Sequence, residues 1–152
     1  MTPTAAPVAE SKGPSTGKTR RFLGREEIIK RKDVRIEQVP VPEWDEESEE
    51  AWVYVRGLSG TDRDSWENGL LTGKGKDQSI TTVDIRAKLC ARTICDEQGN
   101  RIFTDADVAA LGQKSAAALD RVFEVAQRLS KISDKDVEEL AKNSKNAPSD
   151  VS

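Results

Sequence analysis

Proline restricts this chain more than any other residue, because it lacks an amide hydrogen and its ring blocks the preceding helical turn. Pro3, Pro7 and Pro14 lie near the start, Pro40 and Pro42 form one pair, and Pro148 completes the six. Residues 43–147 are therefore free of this breaker and can form several successive helices. The internal pair reads differently. Val39-Pro-Val-Pro42 suits an edge strand or a polyproline-like extension, since neither proline can donate to a ladder.

Around that pair the pattern is that of a hairpin. Val34 and Ile36 alternate with charged residues, and Ala51 to Val55 (AWVYV) puts Trp52 and Tyr54 on one face and Val53 and Val55 on the other. Between the two segments, six acidic residues in EWDEESEE repel one another and favour an exposed loop. Upstream, Arg25 to Lys32 reads as a short helix.

Downstream the helical period takes over. Ser59 is placed to cap a helix running to about Leu71, with Asp62 and Asp64 in its first turns and Trp66 and Leu70 four apart on one face. After a Gly/Lys/Ser loop from Thr72 to Ser79, Thr81 and Asp84 have capping-box spacing, and Val83, Ala87, Cys90, Ala91 and Ile94 follow a helical stripe. Thr104 and Asp107 repeat the cap, with Phe103 and Val108 as a hydrophobic staple, and Gly112 stops that short helix. From Ser115 a long helix carries Leu119, Val122, Phe123, Ala126 and Leu129 as its core stripe and Glu124 with Arg128 as an i,i+4 pair. Ser133 and Asp136 cap a last helix ending near Lys142.

The expected fold is thus α+β and mainly α, a small antiparallel hairpin followed by a helical bundle. A leader over 1–21 and a tail over 143–152 have too few large apolar side chains to order on their own. One domain spans 22–142, with the hairpin at about 34–57 and the helical part at about 59–142. At 152 residues a second domain has little room.

Composition excludes much chemistry. There is no histidine, which removes imidazole base catalysis and the commonest zinc ligand together. Cys90 and Cys95 lack the two-residue spacing of a zinc or redox pair and read as buried thiols, in keeping with a reducing compartment. No catalytic, cofactor-binding or metal-binding residues are expected, and no apolar run approaches a membrane span. The net charge of -3 hides a segregation: residues 1–32 carry eight bases against three acids, and residues 33–72 carry three bases against eleven acids.

Three motifs fall short of their chemistry. GPSTGKT at Gly13 to Thr19 has three residues between its glycines where a phosphate loop needs four, and no strand precedes it. Asp96 to Asp107 resembles a calcium loop, but Arg101 stands where the turn glycine is needed and Asp107 where a bidentate glutamate is. A helix-turn-helix-like skeleton covers about 105–122, and with the basic leader it supports an alternative reading, a small DNA-binding regulator. Its recognition helix would offer alanines and Asp120 to the groove, which is poor chemistry for base edges.

Several strings together resemble the tail assembly chaperones of long, non-contractile-tailed bacteriophages. They are FLGREEII, VPVPEW leading to VYVRGLSGTDRDSWE, and DEQGNRIFTDADVAALGQKSAAALDRVFEVAQRLS, covering about Phe22 to Lys142. The chain departs from the family pattern in its acidic stretch between Trp44 and Trp52 and in its basic leader. The resemblance implies a non-enzymatic protein that coats the tape measure protein in the host bacterial cytoplasm and is absent from the mature virion. Contact with the tail tube protein and self-association are further expectations; membrane and nucleic acid are not. Such chaperones are often made in two lengths through a ribosomal frameshift, and Ala141-Lys142-Asn143 or Ser144-Lys145-Asn146 can each be encoded by a slippery heptamer. As partner-binding residues we single out Trp52, Tyr54 and Trp66, because aromatics beyond the needs of a small core anchor interfaces.

Overall fold

The computed structural model describes residues 19–46 and 50–146. The expected leader up to residue 18 and the expected tail from 147 onward lie outside the described residues, as does the centre of the acidic loop, 47–49. The chain divides into two compact units, one ending at Asp33 and one beginning at Val34.

In the first unit, helix α1 (Arg25–Lys30) begins at Gly24, whose amide donates to Glu27 Oε1 at 3.1 Å. Arg21 also pairs with Glu27. The helix buries no side chain, and its Ile28 and Ile29 are exposed.

The second unit is built on a sheet. Strands β1 (Ile36–Pro40) and β2 (Trp52–Arg56) pair antiparallel with Pro40 opposite Trp52 and Ile36 opposite Arg56. Because side chains alternate, Val39, Val41 and Val55 turn inward and are buried, while Trp52 faces out. Pro40 sits on an edge strand, where its missing donor is harmless. A third strand, β5 (Ile94–Cys95), joins β2 on the other side, so the sheet has the order β1-β2-β5. The stripe ending at Ile94 was expected to stay helical. Instead helix α3 (Ile85–Thr93) passes directly into β5, because Ile94 and Cys95 gain ladder partners in Val55 and Tyr54.

Other boundaries shift for local reasons. Helix α2 (Gly60–Asn68) is capped by Ser59 Oγ, which accepts from the Asp62 amide at 3.1 Å, and it buries Trp66. It ends before Leu71 because Leu71–Thr72 forms β3, which pairs with β4 (Ser79–Ile80) inside the expected loop. The Thr81–Asp84 capping box does not form: Asp84 takes a left-handed conformation at the N-cap of α3, and Thr81 Oγ1 accepts from the Val83 amide at 3.1 Å. Val83, expected in the stripe, is consequently 67% exposed, and Leu89 takes part in the core instead.

Asp107 does cap as expected, with its carboxylate on the Thr104 amide at 2.7 Å, ahead of helix α4 (Val108–Gly112). Helix α5 (Ala116–Ser130) starts at Ser115 and buries Ala118, Leu119, Val122 and Ala126 against α3 and the sheet. Phe123, read as a core residue, is only half-buried. Lys131 ends α5 in a left-handed turn at φ 59°, and the Ser133–Asp136 capping box starts helix α6 (Asp134–Asn146). That helix runs past Lys142 to Asn146. Gly57 lies where α5 crosses β2, and a Cβ there would sit 2.9 Å from the Leu129 carbonyl oxygen.

One guanidinium ties these parts together. Arg56 at the end of β2 donates to the carbonyl of Arg92 at 3.2 Å and of Gly99 at 3.3 Å, and pairs with Asp62 at 2.8 Å. Its side chain and that of Asp62 are 17% and 19% exposed, whereas the Arg128–Glu37 pair is 59% and 39% exposed. Hydrogen bonds made by a shielded charge outweigh those of a surface pair. Arg56→Lys keeps the charge but loses the fork, and should lower unfolding free energy by about 1–3 kcal/mol. Arg128→Lys should cost less than about 1 kcal/mol. Urea denaturation of both variants, read as a shift in midpoint at constant slope, checks the order.

Candidate functional site

Two surfaces of the second unit bring apolar side chains to solvent. The first is the outward face of the sheet. Alternation along β2 places Trp52 and Tyr54 side by side, with ring centroids 4.7 Å apart and planes at 83°, an edge-to-face pair. Trp52 is 45% exposed, and Ile36, at the far end of β1 opposite Arg56, 36%. Trp66, the third aromatic singled out from the sequence, is not part of this face. It is 1% exposed, packed in the core with Leu70 and Leu89, and its Nε1–H finds no acceptor among the described residues.

The second surface is a groove of about 550 Å³ between the single turn Pro42–Trp44 and the corner joining α4 to α5. Trp44, Phe103 and Leu111 supply its apolar lining, and Glu43, Glu46, Asp107 and Lys114 its charged groups. The sequence hinted at the Phe103–Val108 staple, whereas Pro42, read as part of an extended segment, opens a turn instead, and nothing local reveals that the two meet.

Ion pairs from α5 brace the sheet between these surfaces. Arg128 holds Glu37 in a two-pronged contact at 2.7 and 2.9 Å, and Arg121 holds Glu43 at 2.8 and 3.0 Å. Hydrogen bonds from these guanidinium groups keep both carboxyls below their ordinary value. The expected Glu124–Arg128 pair gives way to the first of these, because the helix face carrying Arg128 looks at β1. Asp120 pairs with Arg86 of α3. The segment read as helix-turn-helix-like therefore folds as a five-residue α4 followed by α5, with Asp120 and Arg121 both committed to partners within the unit.

Asp96 anchors a turn, accepting the amides of Gln98 and Asn100 at 2.9 Å each, and those bonds hold its carboxyl below the usual range. Among the described residues no group of three or more acidic or thiol side chains converges as metal ligands do, and no helix is long and apolar enough to cross a membrane.

Residues 26–143 match the sequence model of a family described as phage tail assembly chaperone. No curated protein and no solved structure matches the chain.

Both cysteines are free and buried. Burial pushes the Cys90 thiol up to about 12 and raises that of Cys95 as well. Since the thiolate is the reacting form, a disulfide reagent at pH 8 should label neither cysteine in the folded protein and both after denaturation. Fast labelling of Cys90 in the native chain would contradict the packing of α3 against α5, and of Cys95 the seating of β5 beside β2.

Proposed function

Because the chain belongs to the phage tail assembly chaperone family, we propose that it binds and coats the tape measure protein while the tail is built, without chemistry of its own. The observation that carries the reading is the family match across 26–143, which takes in all of the sheet and most of α6. The physical requirements agree. A tape measure is a very long helical chain whose apolar faces need cover until tube subunits enclose it, and small surfaces repeated over many copies supply that cover through avidity. Trp52 and Tyr54 are suited to this contact: large, stiff side chains that lose little conformational entropy on binding. Trp66 serves by holding α2 in place. A DNA-binding role lacks comparable support, since Arg121 and Arg128 of α5 are already neutralised by Glu43 and Glu37.

The tape measure protein of the same phage, co-expressed with tagged chaperone, is expected to be captured from lysate. Trp52→Ala should weaken that capture by roughly tenfold or more, the effect of a modest interface anchor, with the melting temperature little changed. Absence of capture by the wild-type chain, with tail tube or another tail protein retained instead, would reject the tape measure as the partner.

The same reading places the protein in the host bacterial cytoplasm and outside the finished virion. It also includes a second, longer product made by frameshifting. The codons of Ser144-Lys145-Asn146 fall at the end of α6, so a shift there would exchange the sequence after the last helical residue. Intact mass of infected-cell products should reveal a longer chain sharing this one's sequence up to that point. A single product of 16.7 kDa would exclude it.

A further inference from the structure

We propose that the groove between the Pro42–Trp44 turn and the α4–α5 corner docks a helical segment of a partner protein that carries a bulky apolar side chain flanked by Lys or Arg. The inference deepens the chaperone reading and rests on it for the partner's identity, but its chemistry comes from the groove itself.

The floor is apolar and firm. Leu111 is 5% exposed and anchored in the core, and the half-buried rings of Trp44 and Phe103 pack against the same core, leaving their outer portions to the groove. At about 550 Å³ the space falls in the range of sites that enclose a ligand's apolar groups. The rim is acidic. Glu43, Glu46 and Asp107 face a single lysine, Lys114. Such a field attracts Lys and Arg and repels phosphate, which favours a basic protein segment over nucleic acid or an anionic membrane.

Trp44 adds a second feature suited to a cation: the residue is only partly buried, so part of its indole stays open to the groove. The indole face is the best side-chain surface for a lysine or arginine. Glu43 is held by Arg121, which is itself 47% exposed, so an incoming cation can share that carboxylate without opening the core. A helix fits better than an extended strand because one turn spaces a central apolar residue from flanking bases at i±3 or i±4.

The test uses the full chain, labelled with nitrogen-15, and a synthetic helical peptide of about 14 residues, roughly 20 Å long, with a leucine stripe bordered by lysines. The chain has three tryptophans, and Trp52→Phe together with Trp44→Phe assigns their indole resonances. The Trp44 indole signal is expected to move saturably while those of Trp52 and Trp66 stay. A matched peptide with glutamates in place of lysines should leave all three unmoved. Ala110→Lys, an exposed helical position on the groove wall, should weaken the peptide at least tenfold without changing the melting temperature. Movement at Trp52 alone, no movement at any indole, or unaltered binding by Ala110→Lys would overturn the proposal. So would a Trp44 shift on raising the protein concentration without peptide, which would make a second copy of this chain the occupant. Tape measure capture that survives a failed titration leaves the chaperone reading standing without the groove. A saturating Trp44 shift with no capture does the reverse.

Discussion

The Arg56 guanidinium is the contact on which the second unit depends. Its three hydrogen bonds reach the end of α3, the turn at Gly99 and the carboxylate of Asp62. Asp62 is the residue that completes the cap of α2, so a single side chain fixes a strand end, a helix start and a helix end. Beside it Arg101 donates to the Ala91 carbonyl at 3.1 Å. Two guanidinium groups thus occupy carbonyls that the end of α3 leaves without helical partners, where the helix dipole also favours positive charge. With those carbonyls satisfied, the chain can leave the helix at Thr93 and enter the sheet at Ile94 with no intervening loop.

That abrupt passage concentrates the core. Leu89, Cys90, Ala91, Thr93, Ile94 and Cys95 are all buried, and Thr93 satisfies its hydroxyl by donating to the Leu89 carbonyl at 2.9 Å. Helix α5 lies across this run, with Val122 and Ala126 inaccessible to solvent. The arrangement leaves Trp52 on the outward sheet face, and the outer portions of the Trp44 and Phe103 rings, open to solvent. Aromatic surface can then remain open to a partner because the unit's stability is secured elsewhere, while the ion pairs of Glu37 and Glu43, being exposed, contribute orientation more than free energy.

Local signals were legible in the sequence and tertiary ones were not. Ser59, Thr104, Ser115 and Ser133 all announce helix starts through caps that do form, since capping depends on residues three apart. The hairpin was readable from the alternation in AWVYV and from the prolines on its edge. Strand β5 was hidden because Ile94 and Cys95 continue a helical stripe and become a strand only by pairing with β2, far away in sequence. The destination of Arg128 was misread for the same reason: a neighbour at i-4 is visible, whereas Glu37 is not. Of the three aromatics, the period of two placed Trp52 and Tyr54 on one face, yet burial separates Trp66 from them. The groove required knowing where Phe103 and Trp44 meet, which no spacing rule supplies.

The central claim is that a firmly packed helix–sheet junction presents two separate surfaces to a tail protein. Hydrogen–deuterium exchange on the chain, free and bound to its tape measure protein, addresses it in one experiment. The account predicts slowest exchange over residues 89–95 in both states, with new protection on binding confined to 42–46, 52–54 and 103–115. Rapid exchange at 89–95 in the free protein, or protection on binding that appears only in α6, would contradict it.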